Sequence, residues 1–361
     1  MTAAAGQPGE VAGGRRGRRV AGWRRAGVLL LGVGPWVLLT ACSGAGGAPA
    51  GGAPAGTTRA AAVAPAATGA VPDALVPTTG CRRPPEVAAG RTTPASLESS
   101  GRKRTYRLHL PAGYDPNRPI PLILAFHARN GTGADLEHYT GLDALGAVVA
   151  YPRGLPGPDG QSAWQGAPLS VTARADDVRF VSDLLDHLQR TLCIDAVRIY
   201  ATGKSEGAGL TALLSCRMPR RIAAFATVSG AFYPGTGAGC PGAPPTPLLD
   251  FHGTADKVIH YEGGVRHQVR YPSMTDWLAR RAEYDRCGTA TITSIGSDVT
   301  QISWPACAPR AALVHYRVSG GGHTWPGATA LSGPGGNTRT VSATALSWEF
   351  FTAHPLPAPP P

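Results

Sequence analysis

VRIYATGKSEGAGLTALLSC, residues Val197 to Cys216, decides how the chain is read. A β-branched and aromatic run ends abruptly at Gly203-Lys204-Ser205-Glu206-Gly207, and a Leu/Ala run follows. That succession describes a strand, a sharp turn and a helix, the setting in which a Gly-x-Ser-x-Gly turn exposes a serine hydroxyl. The glycines let strand and helix approach closely. The free N–H groups and positive dipole end of a helix N-terminus favour negative charge at the same spot. In a chain with 48 glycines among 361 residues the pentapeptide alone fixes little. It gains weight with a base and an acid further along.

Two later apolar runs supply them. PLLDFHGTAD ends at Asp256, and VHYRVSGGGHTWPG delivers His323 in a glycine-rich loop, so the chain order is Ser205, Asp256, His323. Each lies just past a predicted strand, where open α/β sheets place their functional loops. A serine hydroxyl is a poor nucleophile at neutral pH. His323 is therefore expected to take its proton, and Asp256 to fix the imidazole tautomer. A tetrahedral intermediate needs two N–H donors: Glu206, directly after the nucleophile, and Ala128 or Arg129 in FHARNGTG. His127 and His252 read as structural, His252 by orienting the loop of Asp256. Asp250 and His260 are weaker candidates. Trp164 in AWQGAP and Trp325 in HTWPG are candidate substrate platforms.

RTYRLHL, PLILAFH, AVVAYP, VRIYAT, AAFATVSG, PLLDFHG and ALVHYRVSG read as strands, most of them nearly continuous in hydrophobicity. Such runs suit strands buried on both faces of a mostly parallel sheet. DDVRFVSDLLDHLQRTL places Val178, Val181, Leu184, Leu185, Leu188 and Leu192 at helical spacing, with Asp176 and Asp177 at its start. The fold class is α/β, a three-layer domain over residues 81–354. A Pro-rich tail, 355–361, follows it.

The N-terminus carries arginines at 15, 16, 18, 19, 24 and 25 and then AGVLLLGVGPWVLLTAC, so residues 1–41 read as a signal peptide. Leu39-Thr40-Ala41-Cys42 resembles a lipobox, which makes Cys42 the lipidated mature N-terminus. Residues 42–80, rich in Ala, Gly and Pro and without aromatics, read as a flexible tether. Six of the 34 basic residues and one of the 23 acidic residues lie in 1–41, which lowers the formal +11 to about +6 for the mature chain. No basic block interleaved with aromatics follows, so nucleic-acid binding has no support. Six cysteines remain after Cys42. In an exported chain they suggest disulfides over metal ligation, and they allow fifteen pairings. The set expected here is Cys81–Cys193, Cys216–Cys240 and Cys287–Cys307.

Over residues 80–354 the sequence resembles the exported esterase family that contains poly(3-hydroxybutyrate) depolymerase-type and feruloyl esterases. The resemblance is carried by RTYRLHLPAGYDP, PLILAFHARNGTG, DDVRFVSDLLDHL, CIDAVRIYATGKSEGAG, FHGTADKVIHYEGG and GGGHTWPG. It implies an α/β-hydrolase without a large lid, a Ser205–Asp256–His323 triad, and ester hydrolysis with no metal or cofactor. Three features depart from the family. His127-Ala128 stands where His-Gly is usual, Lys204 and Glu206 put charges beside the serine, and lipid anchoring points to the cell envelope. Expected substrates are polysaccharide-linked hydroxycinnamates first, hydroxyalkanoate oligomers second and acetylated xylan third. The chain is expected to be a monomer that meets membrane only through its lipid. The reading from another class is an inactive surface lipoprotein that binds glycans or polyesters.

Overall fold

The computed structural model describes residues 75–170, 176–234, 236 and 242–358. Signal peptide, Cys42, Cys240 and most of the tether lie outside the described residues. The core is a ten-stranded sheet. Its strands are β1 (Arg91–Ser99), β2 (Arg102–Leu110), β3 (Ile120–Phe126), β4 (Val148–Pro152), β5 (Ile194–Lys204), β6 (Ala224–Val228), β7 (Leu248–Gly253), β8 (Thr291–Ile295), β9 (Val299–Trp304) and β10 (Leu313–Val318). The spatial order is β1-β2-β4-β3-β5-β6-β7-β10-β9-β8. From β4 to β10 every neighbouring pair is parallel, and the pairs outside that block are antiparallel.

All seven sequence-predicted strands are present, and all lie at or beside the parallel centre. Helices α1 (Gly133–Thr140), α2 (Asp177–Thr191), α3 (Glu206–Arg217), α4 (Met274–Tyr284) and α5 (Ala343–Ala353) cover the two faces. Along β3, Leu122, Leu124 and Phe126 pack with α2 and α3, whereas Ile123 and Ala125 pack with α1 and α5. This alternation of one strand between two apolar clusters makes the third layer. It is the α/β-hydrolase arrangement implied by the resemblance.

Helix α2 begins as its acidic start suggested. The Asp176 side chain accepts from Arg179 N at 2.9 Å, capping the helix. Asp177 does more than favour the dipole: it pairs with buried Arg104 at 2.7 Å and accepts from Gln165 N at 2.7 Å, tying the AWQGAP loop to the helix.

Two boundaries move. Residues 75–80, placed in the tether by composition, lie against the domain. Asp195 Oδ1 accepts from Val76 N at 3.1 Å, Thr78 N donates to Ile194 O at 3.1 Å, and a Cβ on Gly80 would sit 2.3 Å from Leu192 O. At the other end Leu356 is buried and its N–H donates to Val197 O at 2.9 Å. Backbone hydrogen bonding holds both segments, and composition does not report it. Disulfides Cys81–Cys193 and Cys287–Cys307 are formed. Cys216 is disulfide-bonded as well.

Candidate active site

Strand β5 ends at Lys204, helix α3 begins at Glu206, and Ser205 between them has φ 56° and ψ −119°. The left-handed φ is strained for any residue with a Cβ. Ser205 N–H donates to Val228 O at 2.9 Å, and Ser205 O accepts from Gly209 N and Ala231 N at 3.1 Å each. These bonds hold the turn. Both flanking glycines are required by close approach. A Cβ on Gly203 would lie 2.4 Å from Gly207 O, and one on Gly207 would lie 2.2 Å from Phe126 O.

Asp256, the expected acid, sits on the loop after β7. Asp256 Oδ1 accepts from Val258 N at 2.8 Å and Ile259 N at 2.9 Å, so Oδ2 faces His323 Nδ1 at 2.7 Å. His252 Nε2 donates to Ile259 O at 2.9 Å and lies 3.4 Å from Asp256 Oδ2. It therefore braces that loop, as its position suggested. Burial works against the charge of Asp256, but hydrogen bonds from His252 and His323 outweigh it and hold the carboxyl well below the usual range. His323 is pushed down to about 4, first by burial and then by the Lys204 ammonium, against the pull of Asp256. The ring is thus neutral at pH 7. With Nδ1–H directed at Asp256, Nε2 is the free basic nitrogen.

Ser205, His323, Ala128, Arg129 and Glu206 line one cleft of about 260 Å³. The N–H groups of Ala128 and Arg129 donate no hydrogen bond among the described residues. The loop that carries them is held by hydrogen bonds on both sides. His127 donates from Nδ1 to Ala128 O at 2.7 Å and accepts from Gly154 N at Nε2 at 3.0 Å, while α1 is fixed behind it by a capping box between Thr132 and Asp135.

Trp164 and Trp325 do not line the cleft. Trp164 is fully buried and donates from Nε1 to His127 O at 2.8 Å, and Trp325 is 1% exposed and donates to Thr344 Oγ1 at 3.0 Å. Both are anchors: one buttresses the loop of Ala128 and Arg129, the other pins the His323 loop to α5. The closeness of Trp325 to His323 in sequence misled the expectation of an aromatic platform there.

The two charges beside the serine part company. Lys204 runs beneath the His323 loop, donating from Nζ to Ser332 O at 2.5 Å with the Tyr139 ring 5.8 Å away. Burial lowers it to about 8, with Asp256 opposing. Glu206 Oε1 instead meets Arg129 Nη1 at 3.3 Å, and Arg129 Nη2 meets Asp159 at 2.5 Å. Burial pushes Glu206 up to about 7, with Arg129 opposing. Sequence reasoning missed Tyr233, Arg266 and Asp159, whose surroundings carry no motif.

A second Asp–His pair lies between β7 and β10, joining Asp250, a weaker candidate in the sequence, to His315, which sequence reasoning missed. His315 Nδ1 sits 2.8 Å from Asp250 Oδ2, and Tyr261 OH is 3.0 Å from His315 Nε2. Its geometry matches that of His323 and Asp256, but both side chains are wholly enclosed and Tyr261 occupies the nitrogen a nucleophile would need. It is a core network.

Residues 104–240 match a family model described as "Esterase PHB depolymerase". The chain is similar to PHB depolymerase-type and feruloyl esterases, which supports a carboxylic ester hydrolase. It is 28% identical over 288 residues to feruloyl esterase D of Neurospora crassa, covering 77% of this chain and 91% of that one. To feruloyl esterase B of Piromyces equi it is 34% identical over 171 residues, 46% of this chain and 31% of that one. To the bifunctional acetylxylan esterase/xylanase XynS20E of Neocallimastix patriciarum it is 27% identical over 234 residues, 62% and 31% of the two chains.

Proposed function

We propose that this esterase works through an acyl-enzyme on Ser205, with His323 as general base and acid and Asp256 as its orienting carboxylate. The observation that carries the reading is the 2.7 Å contact between His323 Nδ1 and Asp256 Oδ2 in the cleft where the strained Ser205 lies. Ser205 Oγ attacks the ester carbonyl while His323 Nε2 takes its proton and then returns it to the departing alcohol. Water reverses the sequence to release the acid. The oxyanion is received by the Glu206 N–H at the start of α3 and by the N–H of Ala128 or Arg129, for which their lack of other acceptors is the support. Losing one such donor typically weakens transition-state binding by about 3–4 kcal/mol.

The substrate we infer is a hydroxycinnamate ester of a polysaccharide. The support is the run of relatives named feruloyl esterase, since the tryptophans no longer speak for an aromatic acyl group. The test is hydrolysis of p-nitrophenyl esters, methyl ferulate, 3-hydroxybutyrate oligomers and acetylated xylan by the full chain beside Ser205→Ala. Serine-dependent turnover is expected, with ferulate preferred, together with labelling of Ser205 by a fluorophosphonate. Saturable binding without turnover, indifferent to Ser205→Ala, would return the chain to the binding-lipoprotein reading.

Export and lipidation at Cys42 belong to the same proposal. They are supported by the disulfides, which form and persist in oxidising compartments. Fatty-acid incorporation in the producing cell, lost in Cys42→Ala, is the expected result.

A further inference from the structure

The wall of the cleft beside Ser205 gathers polar atoms that the fold leaves unmatched. Glu206 is 4% exposed; its Oε1 meets Arg129, but its Oε2 has no hydrogen-bond partner among the described residues. Tyr233, also 4% exposed, has an unpartnered hydroxyl, and Arg129 Nε is unpartnered too. Arg266, on the hairpin formed by Gly264–Arg266 and Val269–Tyr271, faces the same cleft with one contact of 3.5 Å to Val258 O. A buried polar atom without a partner is expensive. Here an acceptor and several donors of that kind stand together where substrate must pass.

Their chemistry narrows what fits. An anion would satisfy the guanidiniums but not the acceptor Glu206 Oε2, and a wholly apolar group would leave every one of these atoms unmatched. A hydroxyl donates to a carboxylate oxygen and accepts from a phenol or guanidinium at the same time. We propose that Glu206 Oε2, Tyr233 OH and Arg266 form a specificity subsite for a hydroxyl group of the ester substrate. The inference rests on the esterase reading of Ser205. The hydroxyl has two possible sources, the acyl group or a sugar on the alcohol side, and substrate pairs separate them.

The experiment measures kcat/KM on the full chain for methyl ferulate against methyl 3,4-dimethoxycinnamate, and for feruloyl arabinose against methyl ferulate. Each ratio comes from one preparation, so the fraction of folded enzyme cancels. The wild type should favour the hydroxylated partner of at least one pair by about tenfold or more, since a site built to bond a hydroxyl rejects the analogue lacking it. Glu206→Ala should bring that ratio close to one, and Tyr233→Phe should lower it severalfold. If Glu206→Ala turns over neither ester, Tyr233→Phe and Arg266→Met decide. A wild-type ratio near one in both pairs, or a ratio preserved in the variants, overturns the subsite. Absence of turnover on every ester by the wild type would instead overturn the esterase reading itself.

Discussion

The backbone at Ser205 stores strain that a pair of inactive variants can weigh. At φ 56° and ψ −119° the serine occupies a region costing a residue with a Cβ about 1–3 kcal/mol. Ser205→Ala and Ser205→Gly both remove Oγ, and only the glycine removes the Cβ. Glycine gives back about 0.4–1 kcal/mol by freeing the unfolded chain. The net difference favours Ser205→Gly by about 1–2 kcal/mol, or roughly 2–3 °C in Tm for a domain of this size. Calorimetry of the two proteins side by side, with disulfides intact, measures it, and p-nitrophenyl ester hydrolysis checks that both are inactive. A glycine variant that melts with or below the alanine variant would refute the reasoning. The turn would then be held at no expense, and the close approach of Gly203 and Gly207 would explain the elbow by itself.

Removing the ammonium in Lys204→Met should raise the His323 pKa, because Lys204 helps burial hold it near 4. The base works only when neutral, so the acid limb of the kcat/KM profile should lie near pH 4 in the wild type and move to higher pH in the variant. Asp256→Asn should lower kcat by about 10⁴-fold. Asp250→Asn, in the enclosed network of His315, should lower Tm and leave the acid limb in place; titrating both variants separates the two pairs. Cys81→Ser opens a loop of 112 residues and should destabilise the domain by about 2–5 kcal/mol, read as a fall in the urea midpoint.

The sequence was most readable where burial is two-sided. Strands β3 to β7 and β10 carry near-continuous apolar runs because helices cover both faces, and β2 was caught by its apolar C-terminal half. The antiparallel edges were invisible for the opposite reason. RTTPASLES of β1 alternates weakly and holds Pro94, which edge strands tolerate. TITSI of β8 is exposed along nearly its whole length, and Ile292 is 71% exposed. Nothing in such residues distinguishes an edge strand from a loop.

At the site, chain order pointed to Ser205, Asp256 and His323 past strand ends, but sequence proximity could not say which side of a loop a neighbour takes. Two residues after His323, Trp325 turns to α5 and away from the cleft. Around Ser205 the same ambiguity has chemical consequences. A sharp turn between strand and helix sends consecutive side chains in different directions, so the charges of Lys204 and Glu206 do not add into one electrostatic burden on the serine. Lys204 braces the His323 loop and adds to the burial that keeps the imidazole neutral. Glu206 faces the cleft wall, where Arg129 engages one carboxylate oxygen and leaves the other without a partner. The two charged departures at this elbow thus act in separate places, one on the His323 loop and one on the cleft wall. A double substitution of Lys204 and Glu206 should therefore shift the acid limb and the hydroxyl preference additively, each as its single variant does.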